Sequence, residues 1–201
     1  MNLVIDTAQT HCGVGLFEDQ HLVALENEIL SHGHAAILPN MVSNVVQDFA
    51  QIRNIIINVG PGSFTGIRVG VAYAKGLSKG LNVPLFGINS FQAFSQALSG
   101  EYLILVDAKR KDLYGQKVSG DGEFSESFNL TPQEIADQFD LQNLICVGNG
   151  VPQFESELGI QLKTVEAKQT TVELINSAFL KGLADPKAEP YYLRSADVTL
   201  S

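Results

Sequence analysis

Apolar positions fall in short runs over the first 30 residues and then change period. Runs at 3–5, 14–17 and 22–29 are separated by polar turns at 8–11 and 19–20, so the spacing predicts three strands with tight connections. From 35 to 49 the apolar residues Leu38, Met41, Val42, Val45, Val46 and Phe49 recur at three- and four-residue intervals, the signature of one helix face. The β-branched run at 55–59 predicts a buried strand. A second helix follows over 64–81, with Ile67, Val71, Ala74 and Leu77 on one side. A strand at 85–88 comes next, and Ser90 stands where it can cap a helix over 91–98.

The second half repeats this order. "NLVIDTA" at 2–8 is echoed by "LILVDAK" at 103–109, which puts Asp6 and Asp107 101 residues apart. At that offset the second and third strands fall on 113–118 and 122–128. A shorter helix at 131–139 then leads to "NLICVGNG" at 143–150, the echo of "NIIINVG" at 54–60. Three strands, a helix, a strand and a helix, stated twice, describe an α/β protein of the duplicated actin-like architecture (the ASKHA fold of actin, Hsp70 and sugar kinases). The expected division is an N-terminal lobe over 1–99 and a C-terminal lobe over 100–201, with Gly100 breaking the chain between them.

The stretch "NVGPGSFTGIRVG" at 58–70 holds four glycines, Gly60, Gly62, Gly66 and Gly70, between a strand and a helix, the setting of many phosphate sites. It departs from the phosphate templates. Gly66 is followed by Ile67-Arg68 where a P-loop needs Lys and Ser or Thr, and the dinucleotide spacing is one residue long. A structural reading accounts for more of it: Gly62 frees the turn, Ser63 or Thr65 caps the helix, and Gly66, Gly70 and Ala74 form a flat stripe. Active members of the fold clasp ATP on glycine-bearing turns after the first strand of each lobe. Here those turns, Asp6-Thr7-Ala8 and Asp107-Ala108-Lys109, hold no glycine. Asp6 could still order a magnesium ion through water, or simply form a turn, and Gly148-Asn149-Gly150 could contact an adenine or be an ordinary strand exit.

Charge narrows the partners. The net charge is −9, and no Lys or Arg precedes Arg53, while Asp6, Glu18, Asp19, Glu26, Glu28 and Asp48 lie in that stretch. Such a surface repels a phosphate backbone, so tight unaided RNA binding is not expected. The cluster Lys109-Arg110-Lys111 reads as a solvated turn or as a contact for an acidic partner. Cys12 and Cys146 lie in apolar runs and read as buried thiols. His32-Gly33-His34 does not place two rings on one helix face and no carboxylate completes a ligand set, so no metal is expected. Ser63 lacks the nucleophile elbow of a hydrolase. There is no basic leader and no apolar run of transmembrane length, which makes a cytoplasmic protein without a membrane span the expectation.

The "GPGSFTGIRVG" stretch (Gly60, Pro61, Gly62, Ser63, Phe64, Thr65, Gly66 and on through Arg68 to Gly70), "IDTA" at 5–8, "DAKRKDLY" at 107–114 and "AEPYYLR" at 188–194 resemble the TsaB (YeaZ) family of bacterial tRNA threonylcarbamoyladenosine synthesis. The chain is shorter than most members, chiefly in its second half. The resemblance implies an actin-like, non-catalytic scaffold without a cofactor. It would dock through its first two helices on the catalytic paralogue TsaD, work with the ATPase TsaE, and meet tRNA only through the complex. The residues add a surplus of apolar surface. Leu38, Met41, Val42, Val45 and Phe49 of the first helix, and Gly66, Ile67, Gly70, Val71 and Ala74 of the second, are expected to supply the docking face, or a homodimer face when the partner is absent. A small ATP-dependent phosphotransferase or ATPase of the same fold stays open as the second reading.

Overall fold

The computed structural model describes residues 1–30, 33–165 and 169–193. Two five-stranded sheets carry the chain, and each repeats one topology. In the first, β1 (Asn2–Asp6), β2 (His11–Glu18) and β3 (His21–Ile29) form an antiparallel meander. After α1 (His34–Val45), β4 (Asn54–Asn58) pairs parallel to β1. After α2 (Phe64–Leu81), β5 (Leu85–Ile88) pairs parallel to β4, and α3 (Ser90–Phe94) ends the unit. The strand order is β3-β2-β1-β4-β5. The second sheet, from β6 (Tyr102–Asp107), β7 (Leu113–Val118), β8 (Phe128–Leu130), β9 (Ile145–Val147) and β10 (Lys163–Thr164), reads β8-β7-β6-β9-β10, the same order. Its helices are α4 (Pro132–Gln138), α5 (Val151–Leu158) and α6 (Thr171–Leu180). Each lobe is therefore βββαβαβα, so the repeated unit takes in the strand and helix read at 85–98 as well, and their counterparts in the second lobe are β10 and α6. This is the actin-like fold.

Strand alternation builds three apolar layers. Leu3, Ile5, Ile55 and Ile57 point outward under α1 and α2, while Val4 and Ile56 point inward. In the second sheet Leu103 and Leu105 face α4 and α5, and Ile104 and Val106 face inward. The inner faces of both sheets share one core with α3 and α6, filled by Phe17, Phe91 and Ile175. Helix α6, from the second half, packs on β1, β2, β4 and β5 of the first sheet. No helix among the described residues is long and apolar enough to cross a membrane.

Local chemistry moves several predicted boundaries. Helix α1 stops at Val45, because Asp48 takes the Ala50 N–H at 3.0 Å and starts a short 3-10 turn, Phe49–Gln51. Phe49 therefore lies off α1, half-buried at its edge. Asn89, not Ser90, caps α3, forming a capping box with Gln92. The predicted strand at 122–128 shrinks to Phe128–Leu130, since Ser119 and Gly122 close a tight turn and only Phe124 bridges back to Val118.

After α6 the chain runs back along the free edge of β5. Gly87 and Asp185 exchange two backbone hydrogen bonds, at 2.7 and 2.8 Å, and Tyr191 N–H donates to Val59 O at 2.8 Å. The buried Ala188 sits over Gly87, where a side chain on Gly87 would strike its Cα at 3.0 Å. The strap thus covers an edge that would otherwise be open.

Candidate functional site

The glycine-rich stretch forms a locked corner between β4 and α2. Ser63 caps α2, accepting the Gly66 N–H at 3.2 Å, and its own N–H donates to Ala8 O at 2.8 Å. Thr7 Oγ1 donates to Gly66 O at 2.7 Å. A Cβ on Gly62 would fall on the Ala8 carbonyl oxygen, one on Gly66 on the Thr7 carbonyl oxygen, and one on Gly70 on Thr7 Oγ1. The glycines are needed because the turn after β1 lies directly against the start of α2. The Gly60–Pro61 peptide bond is cis, and Ser90, buried at the start of α3, binds Gly60 O through its N–H and Pro61 O through its hydroxyl at 2.7 and 2.8 Å.

Asp6 lies beneath this corner, fully buried. Its Oδ1 accepts from Ala8 N–H at 2.9 Å and from Asn58 Nδ2 at 3.0 Å, and Asn58 Oδ1 accepts the Gly60 N–H at 2.9 Å. Burial pushes the Asp6 pKa above its ordinary value, opposed by Thr171, Ala8 N–H and Asn58. The carboxylate works here as a fastener between strand ends. The second lobe joins the corresponding strand ends differently: Asn149 Oδ1 accepts the Asp107 backbone N–H at 3.1 Å while the Asp107 carboxylate takes Lys109, and a Cβ on Gly148 would fall on Leu105 O. Gly148 and Gly150 are thus accounted for by close approach to β6.

Between the lobes lies a cavity of about 340 Å³, with Gln9, His11, Asn27, Phe94, Asn149 and Thr171 in its wall. Among the described residues no Lys or Arg lines it. Lys109 instead pairs with Asp107 at 2.6 Å. No group of three or more potential metal ligands occurs among the described residues. His34 opens α1, where burial and then the Lys109 charge lower its pKa; His32 lies outside the described residues. Both cysteines are buried free thiols. Burial raises Cys12 to about 11 and Cys146 to about 12, which leaves neither a nucleophile.

The expected apolar stripes do not lie on the surface. Leu38, Met41, Val42, Val45, Ile67, Val71 and Ala74 are at most 4% exposed and form the core beneath α1 and α2, while Gly66 and Gly70 face Thr7. Period 3.6 identifies an apolar face, and the sheet fills it. The outward face is different in kind. On α1 it is Ala35, Ala36, Pro39, Asn40, Ser43 and Asn44, with no charged residue in the helix. On α2 it includes Thr65, Ala72, Lys75, Gly76, Lys79 and Gly80, with no acid. Among the described residues Gly76 and Gly80 pack against nothing outside their own helix: a Cβ on either would meet open space.

The strap brings a second motif to the corner. Tyr192 packs against Phe64 with centroids 5.2 Å apart and the rings tilted by 44°, and Arg68 lies 3.9 Å over the Phe64 ring while its Nε donates to Tyr192 Oη at 3.2 Å. Arg194 lies outside the described residues. That the strap meets the glycine corner was not legible from spacing, since the two segments stand 124 residues apart.

Residues 27–153 match the sequence family described as TsaD, tRNA N6-adenosine threonylcarbamoyltransferase. The chain is 28% identical to the tRNA threonylcarbamoyladenosine biosynthesis protein TsaB of Escherichia coli over 96% of this chain and 94% of that protein. Among solved structures it resembles YeaZ from Pseudomonas aeruginosa, with TM-score 0.75 and 21% identity over 96% and 99% of the two chains. A more distant likeness, TM-score 0.53 at 9% identity over 88% and 89%, is to ethanolamine utilization protein EutJ from Carboxydothermus hydrogenoformans.

Proposed function

We propose that the chain, which belongs to the family described as TsaD and is similar over nearly its whole length to a TsaB protein, is a non-catalytic subunit of tRNA threonylcarbamoyladenosine synthesis. In this reading it docks on the catalytic TsaD-type paralogue and has no ATP hydrolysis or peptidase activity of its own. TsaE and tRNA are met within that assembly.

The observation that carries the reading is the outward face of α1 and α2. Gly76 lies in the middle of α2 with nothing near it. An exposed helix-interior glycine destabilises the helix by about 0.5–1 kcal/mol relative to alanine. A partner helix that approaches closely there gives that cost a purpose, and Ala72, Gly76 and Gly80, four residues apart, offer it a smooth track. The two helices present no acid of their own on this face, where Glu26 of β3 accepts from Asn44 at 2.8 Å, and α2 carries Lys75 and Lys79 there, in a chain whose net charge is −9. The chemistry that would compete with this role finds little support. The turn after β1 is fastened to α2, and among the described residues the interlobe cavity has no cation in its wall. A second copy of the chain would occupy the same face when the paralogue is absent.

The test is Gly76→Gln, which adds a side chain in open space on a surface helix. The fold should be kept and its melting temperature unchanged or raised, while association with the cognate TsaD-type protein, measured by calorimetry, falls at least a hundredfold. Undiminished association would refute docking through this face.

A further inference from the structure

The corner and the strap account for much of the two signature motifs, but not for a cluster of three exposed side chains. Gly60, Gly62 and Gly66 permit close approach, Ser63 caps, and Ala188 fills the notch over Gly87. Phe64, Arg68 and Tyr192 do none of this. Phe64 is 39% and Tyr192 41% exposed, and Arg68 is exposed between them.

Their arrangement is that of a prepared arginine. The guanidinium carbon lies 3.9 Å from the Phe64 ring centroid and its Nε donates to Tyr192 Oη, so the side chain is held at two points, and among the described residues its two Nη groups have no ion-pair partner. Among the described residues no carboxylate pairs with Arg68. Its place is electrostatically awkward for a structural role: it stands near the N-terminal, positive end of the 18-residue α2, whose first turn has no acid. The helix end and the guanidinium favour the same thing, an anion held in the plane of the fork, with aromatic surface beside it. This cluster lies where the strap meets α2 and does not include Ala72, Gly76 or Gly80.

We propose that Phe64, Arg68 and Tyr192 form a second docking site, for a partner protein segment that presents a carboxylate next to an aromatic or aliphatic side chain. The carboxylate takes the two Nη groups as a bidentate pair, and the apolar side chain covers the exposed edges of Phe64 and Tyr192. A protein segment is favoured over RNA by charge: a net charge of −9 opposes a polyanion, whereas a single carboxylate needs only one local cation. The inference does not depend on docking through α1 and α2.

The experiment uses the isotope-labelled full chain and N-acetyl-phenylalanine, which carries a carboxylate beside a ring. Nuclear magnetic resonance should show saturable shifts at Arg68 Nε–H and at the Phe64 and Tyr192 rings. Affinity should fall at least tenfold with N-acetyl-phenylalanine amide and at least tenfold in Arg68→Lys, which keeps the charge and loses the fork. Equal shifts from acid and amide, or full affinity in Arg68→Lys, would overturn the proposal. So would tighter binding of adenosine monophosphate at the same resonances, which would mark a nucleic-acid site. Binding seen only after Asp197→Asn would show that the chain's own tail takes the fork, and would overturn it too. Loss of the paralogue in the Gly76→Gln variant with probe binding intact would separate the two sites.

Discussion

Replacing Gly66 and Gly76 by alanine, one at a time, should move stability in opposite directions although both lie in α2. At Gly66 the new methyl would fall on the Thr7 carbonyl oxygen, which is backbone and cannot swing aside. Displacing the turn after β1 is an overpacking event of about 1–3 kcal/mol. It also disturbs the Thr7 Oγ1 to Gly66 O and Gly66 N–H to Ser63 Oγ hydrogen bonds, each contributing about 1 kcal/mol. The gain in helix propensity returns about 1 kcal/mol. The net expectation is a loss of about 2–4 kcal/mol, or a melting temperature lower by about 4–16 °C for a chain of this size. At Gly76 nothing lies within 4 Å of the new methyl, so only the propensity term remains, and the melting temperature should rise by about 2–4 °C. Differential scanning calorimetry of the two variants beside the parent gives the answer directly. If Gly66→Ala is as stable as the parent, the corner is not the close contact described here, and the account of the signature glycines fails.

Val45→Glu should unfold the protein rather than leave a folded chain that cannot dock, because Val45 is 3% exposed in the core under α1; circular dichroism and a lost thermal transition would show it, and a folded variant would contradict the burial. The raised pKa of Asp6 means that the folded state holds this proton more tightly than the unfolded chain, so its contribution to stability falls as pH rises from the unfolded value through the folded one. Asp6→Asn keeps an oxygen for Ala8 N–H and Asn58, and urea titrations should find its stability relative to the parent better at pH 7.5 than at pH 3; the reverse order would mean that the buried charge is stabilising. Cys12 and Cys146, with thiols raised to about 11 and about 12, should resist iodoacetamide at pH 8 until the protein unfolds, as mass spectrometry of the intact protein would report.

How far the sequence could be read depended on which interactions are local. Short apolar runs between polar turns, and the echo between Asp6 and Asp107, were enough for the duplicated fold, because the order of elements can be read along the chain. A side-chain cap at Ser63 or Thr65 and the bounds of α2 were legible for the same reason, and the structure assigns the cap to Ser63. What failed were judgements of direction. Leu38, Met41, Val42, Val45 and Val71 form a face whose period is correct, but nothing in a period says whether the sheet or a partner fills it. Gly66 and Gly70 looked like an outward track and face inward to Thr7, while the outward glycines, Gly76 and Gly80, carried no motif to mark them. The role of 184–193 as a strap, and the meeting of Tyr192 with Phe64 and Arg68, depend on contacts between distant segments that spacing does not encode.

The central claim, a subunit that works by docking and not by chemistry of its own, is tested most directly in cells depleted of this protein and supplied with one variant at a time. The measurement is threonylcarbamoyladenosine in bulk tRNA, by nucleoside mass spectrometry. The account predicts a fall on depletion, full recovery with the parent chain, and no recovery with Gly76→Gln present at equal abundance. An unchanged level after depletion, or full recovery with Gly76→Gln, would contradict it.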